Sequence, residues 1–222
     1  NNVDISLVDA SGKKAPFNLT QSGYNDSGAK WVLKGKAMLF FSDRAGYRSH
    51  GSWGAESDAY LMFFDLDAYD HFRMSKEEKE LFDEAEKEKK KDDKETKDEE
   101  NKKEKIKPLQ FDLENCRDRI VRLTVNSSRL GDAILSPDGN VLYYQAAFEG
   151  GYDLWKHDLK EDKTQIVMKE VGDGALEADN DFKNLYICAH NGIKKIDLSK
   201  QSSSNVGFEA RFDYKPYQER EY

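Results

Sequence analysis

The chain has 222 residues, with 35 Lys and Arg against 43 Asp and Glu, a formal charge of −8. That acidic balance excludes a general nucleic-acid surface, and no apolar run reaches membrane-spanning length. Two cysteines, Cys116 and Cys188, fit neither a CxxC pair nor a metal-ligand spacing, and two buried free thiols are expected of them, with a disulfide as the alternative.

The charge is concentrated. Residues 75–107 carry 12 Lys and 14 Asp or Glu in 33 positions, so the remaining chain has the charge of an ordinary globular domain. No secretory or transit-type leader is visible, and a start at Asn1 reads as a segment cut from a longer protein.

Residues 2–10 (NVDISLVDA) alternate apolar Val3, Ile5 and Leu7 with polar neighbours, which predicts a half-buried strand, followed by a short strand at 16–20. Residues 28–41 give two strands around a Lys34-Gly35-Lys36 turn. Residues 42–57 (SDRAGYRSHGSWGAES) form a long loop, and 58–66 (DAYLMFFDL) resume as an aromatic-rich strand. Ser75 then opens the charged insert with the S-x-x-E pattern of a capping box. Leu81, Phe82 and Ala85 predict a helix from about Lys76 to Lys90; 91–105 have no apolar face and are either solvent-held helix or disordered. The insert reads as a solvated spacer, with a docking arm as the alternative.

Strands are predicted at 119–125, up to Leu135, at 140–146, 152–159, 164–171, 184–189, 193–198 and 206–212. Ser136-Pro137-Asp138-Gly139 is a turn, because proline presets φ and glycine accepts φ > 0. Residues 213–222 read as the start of a linker to a following domain.

The pattern repeats. A strand closing on aspartate recurs as DISLVD, AYLMFFDL, DLWKHDL and IKKIDL, and the strand before it as KAMLFF, NVLYYQ and NLYICA. Asp158 and Asp197 lie 39 residues apart, and removing the long loop and the insert brings the other spacings toward that period. Four short strands per unit of about 40 residues predict propeller blades. The expected fold is all-β: a partial or gapped β-propeller segment of about four four-stranded units over residues 1–222, with one charged helical insert. The first unit lacks its opening strand, so either the propeller is gapped or a second copy covers its edges.

SPDGNVLYY followed by GGYDLWKHDL resembles the WD-like repeat of TolB-type and tricorn-type propellers. The segment from Ser42-Asp43-Arg44-Ala45-Gly46 through Arg48-Ser49-His50-Gly51-Ser52-Trp53-Gly54 to Asp58-Ala59-Tyr60, with the Lys/Glu-rich insert after it, is similar to the propeller region of bacterial tricorn-like serine peptidases. The resemblance implies a non-catalytic propeller part that guides or filters peptides and supports assembly. Its implied partners are peptides or unfolded segments, the rest of the parent peptidase and a homo-oligomer. It implies a cytoplasmic location, with the bacterial periplasm as the alternative. A TolB-like module that binds a protein partner, with no enzyme attached, is the second reading.

No catalytic, cofactor-binding or metal-binding residue is assigned. Ser52 in His50-Gly51-Ser52-Trp53-Gly54 lacks the glycine two positions before a nucleophile elbow's serine and sits between strands. His50, His71, His157 and His190 stand singly, without metal spacing, and His157 reads as a sheet-surface residue. Asp9, Asp65, Asp158 and Asp197 end strands, and Asp138 sits in a turn, so all five read as carboxylates accepting local N–H bonds. Phe40, Phe41, Phe63, Phe64, Tyr143, Tyr144, Tyr152 and Trp155 read as packing between blades.

Overall fold

The computed structural model describes residues 2–48, 55–92, 109, 111–190 and 192–207. In chain order the strands are β1 (Ser6–Leu7), β2 (Phe17–Asn18), β3 (Asp26–Val32), β4 (Ala37–Ser42) and β5 (Asp58–Phe63). Two helices follow, α1 (Leu66–Arg73) and α2 (Lys76–Asp92), and then β6 (Ile120–Arg122). Next come β7 (Arg129–Leu135), β8 (Val141–Ala147), β9 (Asp153–Asp158) and β10 (Lys163–Met168). The last four are β11 (Ala175–Ala178), β12 (Asn184–Ala189), β13 (Gly192–Asp197) and β14 (Ser202–Val206).

They form four antiparallel sheets in which every neighbour in space is a neighbour in sequence: β1-β2, β3-β4-β5-β6, β7-β8-β9-β10 and β11-β12-β13-β14. These are the four repeating units, three of them complete and the first a two-stranded ribbon. The phase is the expected one. The strands closing on aspartate are the third strands β5, β9 and β13, and the apolar strands before them are the second strands β4, β8 and β12. By motif, β1 is a third strand and β2 a fourth.

Sheets stack face to face because their middle strands are apolar on both sides. All six residues of β4 and all six of β5 are buried. Met38, Phe40, Tyr60, Met62 and Phe64 pack toward the ribbon with Leu19 and Cys116. Leu39, Phe41, Leu61 and Phe63 face the next sheet's Leu135, Leu142 and Tyr144. Tyr143 and Leu154 turn the other way, to meet Leu176, Leu185, Ile187 and Ile196 of the last sheet. Each such side chain contributes about 1.5–3 kcal/mol on burial. Among the described residues no core joins the last sheet back to the first, so the sheets form an open arc.

Three elements differ from expectation. α1 occupies residues for which no element is predicted between the strand at 58–66 and the insert at Ser75. Asp65, which ends that strand, turns into an N-cap whose side chain accepts a 2.7 Å bond from the Ala68 N–H. Ala68, Tyr69 and Phe72 then pack against the core between the second and third sheets. β11 has only four residues, ALEA, with no strand propensity of their own; it forms because Leu176 is completely buried between sheets. β14 lies at Ser202–Val206, earlier than expected and fully exposed, and most of the expected 206–212 strand falls outside the described residues.

α2 begins at Lys76 as expected. Its capping box is reciprocal: the Glu78 N–H donates to Ser75 Oγ at 3.2 Å, and the Ser75 N–H to Glu78 Oε2 at 2.8 Å. The helical pair is fastened to the third sheet by lysines. Lys160 Nζ donates to the carbonyls of Phe72 (2.6 Å) and Met74 (2.8 Å), capping the C-terminus of α1, and Lys79 donates to Asn140 Oδ1 at 2.8 Å. Burial, with the nearby Lys79 charge, lowers the pKa of Lys160. Residues 93–108, which include the last 15 of the 33 residues of the expected spacer, and the linker expected at 213–222 lie outside the described residues.

Candidate functional site: the base of the β4–β5 loop and the inner strands

The β4–β5 connection is much longer than its counterparts after β8 and β12, and its two ends are held by buried charge. Asp26, Ser42 and Asp58 have no exposed surface, and Asp43 has very little. Arg44 donates to Asp26 Oδ1 at 3.0 Å and to Ser42 Oγ at 3.0 Å. Its guanidinium carbon lies 5.1 Å from the Tyr60 ring centre, 5.3 Å from Phe40 and 5.9 Å from Tyr24, so three rings cage the cation. Asp26 Oδ2 accepts from Ser22 Oγ at 2.5 Å, which completes its shell.

Asp43 accepts from the Asn25 N–H (3.0 Å), the Asn25 side-chain amide (2.9 Å) and Arg48 (3.1 Å). Burial alone raises its pKa, but those donors outweigh it and hold the carboxyl below its ordinary value. On the far side of the loop, Asp58 takes Arg122 at 2.8 Å, Thr124 Oγ1 at 2.6 Å and Ser127 Oγ at 2.7 Å. Burial, with the Asp58 charge next, pushes the Tyr60 phenol up. At Gly46 a Cβ would stand 1.7 Å from the Glu56 carbonyl oxygen, so only glycine lets the two loop arms touch. Every carboxylate here is committed to a hydrogen bond or ion pair that positions backbone. Among the described residues the cluster is a clamp.

A second polar clip crosses the inner strands. Lys30 on β3 reaches Asp132 on β7 at 2.6 Å and the Leu176 carbonyl on β11 at 3.3 Å. Asp132 accepts from the Leu176 N–H at 2.7 Å and from the Ala133 N–H at 2.8 Å. One carboxylate therefore ties three successive sheets at their first strands.

His50, Ser52 and Trp53 lie outside the described residues. His157 is buried, not on a sheet surface: Nδ1 is 2.8 Å from Thr164 Oγ1, and Nε2 is 3.7 Å from Asp162. Alternation misleads there because a third strand between two sheets has both faces covered. His71 lies on α1 with its ring 5.3 Å from that of Phe82, and His190 is exposed in the β12–β13 turn. Of the two thiols, Cys116 is buried and pushed up in pKa by that burial, whereas Cys188 is exposed on the last sheet. Two buried thiols are thus corrected to one, because the outward side of β12 has no sheet over it.

The strand-end aspartates accept local N–H bonds: Asp158 from Lys160 and Glu161, Asp197 from Ser199 and Lys200, Asp9 from Lys13. Asp138 accepts from the Asn140 N–H at 3.1 Å, and Asp179 repeats the device in the next unit with Lys183 and Asn184. Six of the eight aromatic residues are buried between sheets, and burial pushes the Tyr144 phenol up to about 12; Tyr152 and Trp155 are half-buried. Lys30 and Asp132 were not singled out from the sequence. The irregular register between Leu130 and Ala133, which aims Asp132 inward, leaves no mark in residue type.

Sheets of four antiparallel strands stacked in an arc define a β-propeller-type fold. The chain is similar to the tricorn protease structure, with a TM-score of 0.59 and 15% identity over 94% of this chain, and to TolB from Acinetobacter baumannii, with a TM-score of 0.52 and 12% identity over 93% of this chain. It spans 19% of the tricorn protease chain and 38% of the TolB chain. No protein-family profile matches the sequence, and no curated protein is significantly similar to it.

Proposed function

We propose that the chain is a non-catalytic propeller part of a tricorn-like serine peptidase, guiding or filtering peptides and supporting assembly. The reading is carried by the loop at 42–58, where the sequence resemblance is densest. Its arms are clamped by buried Asp26, Asp43 and Asp58 with Arg44, Arg48 and Arg122, whereas the equivalent connections are short turns. Charge of this density is costly to bury and is retained where a loop's conformation matters. The propeller-type fold similar to that of the tricorn protease is compatible with the reading at the level of architecture.

The test is fluorescence anisotropy of labelled unstructured peptides with the chain, run beside an assay for their cleavage. Peptides bind and are not cut. Cleavage abolished by Ser52→Ala overturns the non-catalytic role. Binding of a folded protein but of no unstructured peptide favours a TolB-like partner-binding module instead.

A further inference from the structure

A cavity of about 670 Å³ lies between the α1–α2 pair and the turns of the second and third sheets, away from the loop clamp. That volume is in the range of small-ligand sites. Its walls are chemically unequal. From α1, Asp67 and Asp70 line it, and among the described residues neither carboxylate has a hydrogen-bond or ion-pair partner. Three ammonium groups also line it, Lys36 from the second sheet, Lys79 from α2 and Lys160 from the third sheet, each with donors to spare. Lys36 makes only a 3.6 Å ion pair to Asp65, Lys79 uses one of its three N–H groups on Asn140, and Lys160 uses two of its three on the α1 carbonyls. The third carboxylate in the lining, Asp138, is occupied by Ser136, Asn140 and the charge of Lys79. Apolar surface comes from Phe72 on α1 and the partly exposed Phe82 on α2.

Free acceptors, free donors and aromatic surface lining one cavity fit a ligand bearing both charges and a greasy side chain. We propose that this cavity binds a short zwitterionic peptide. Its free ammonium lies at Asp67 and Asp70, its carboxylate at Lys36 and Lys79, and an apolar side chain lies against Phe72 and Phe82. A purely anionic ligand leaves the two carboxylates opposed to it, and a purely cationic one meets three ammonium groups. The proposal does not depend on the chain's serving a peptidase.

The test is calorimetric titration of the full chain with the dipeptide Leu-Phe, its N-acetylated form, its C-amidated form and free leucine. Each terminal contact is a hydrogen bond to a charged group, so blocking either end weakens binding about tenfold or more. Leucine alone, binding as well as the dipeptide, would identify an amino acid as the ligand of the same chemistry. In the Asp67→Asn/Asp70→Asn variant the free and N-acetylated dipeptides become equal while the penalty for C-amidation stays. Lys36→Gln/Lys79→Gln does the reverse. Lys79→Gln also removes a tie between α2 and the third sheet, so an unchanged circular dichroism spectrum and urea midpoint are required of each variant, and Lys36→Gln alone serves where the double variant is loosened. Equal binding of blocked and free peptides, selectivity at one end only, or no binding up to about 10 mM each overturns the proposal.

Discussion

Replacing Asp132 by alanine should cost more stability than any other single change at the inner strands. The carboxylate accepts three bonds, from Lys30 Nζ, the Leu176 N–H and the Ala133 N–H, and Leu176 is completely buried. Alanine strands a buried N–H that water does not reach and leaves Lys30 without its charge partner. The expected loss is about 3–5 kcal/mol. Lys30→Met leaves both backbone donors on Asp132 and removes a cation that still has 30% of its side chain exposed, so about 1–2 kcal/mol goes. The gap between the two variants is then about 2 kcal/mol, or a difference of about 1 M in urea midpoint. Hydrogen exchange adds a local readout: the Leu176 amide loses protection in Asp132→Ala and keeps most of it in Lys30→Met. Equal losses in the two variants, or an unchanged Leu176 amide, would refute the view that Asp132 ties the last sheet to the one before it.

Three further outcomes follow from the geometry. Gly46→Ala places a Cβ against the Glu56 carbonyl and should open the loop clamp, seen as faster protease cutting within 42–57 with little change elsewhere. Ser75→Ala removes the N-cap of α2 and should cost about 1 kcal/mol of helix stability, read as lost helical circular dichroism; no loss would mean the capping box is decorative. Acid should destabilise the chain. Asp43 and Asp138 have folded-state pKa values below the ordinary 3.8, and burial is outweighed at both by hydrogen bonds to the ionised form. Their stabilisation is complete above the unfolded value and is lost as pH falls through the folded ones, so the urea midpoint should drop below about pH 4. A midpoint that holds steady there, or a drop unaffected by Asp138→Asn, would contradict the assignment.

Middle strands were the most legible part of the chain. β4, β5 and β8 are sandwiched, and their runs of large apolar residues announce it. Peripheral strands were not, since β11 and β14 are held by register with a neighbour and carry sequences, ALEA and SSSNV, with no apolar alternation. α1 escaped notice because Asp65 looks like every other strand-end aspartate; only the amphipathic spacing of Ala68, Tyr69 and Phe72 distinguishes a helix from a turn there. The loop clamp was half legible. The resemblance covers Asp43, Arg44 and Asp58, but their partners Asn25, Asp26 and Arg122 come from two other stretches and meet them only in the folded state. Lys160 is a similar case, since nothing in its neighbourhood hints that it caps a helix more than eighty residues earlier.

The second sheet also shows how much extra chain a blade can carry. Between β5 and β6 lie 56 residues, where β9 and β10 are joined by four. That is just under four doublings of loop length, an entropic cost of only about 2 kcal/mol. Arg119 meets the returning chain at the sheet, bonding the Phe63 carbonyl at 3.2 Å, Asp112 Oδ2 at 2.9 Å and the Asp112 carbonyl at 3.1 Å. With α1 packed on the core, Lys79 and Lys160 fastening the helical pair and Arg119 receiving the return, the blade's own contacts are complete on either side of chain inserted beyond α2. The third-to-fourth-strand corner is therefore a natural grafting point, where a sensor, a tether or a whole foreign domain can be carried without disturbing strand pairing.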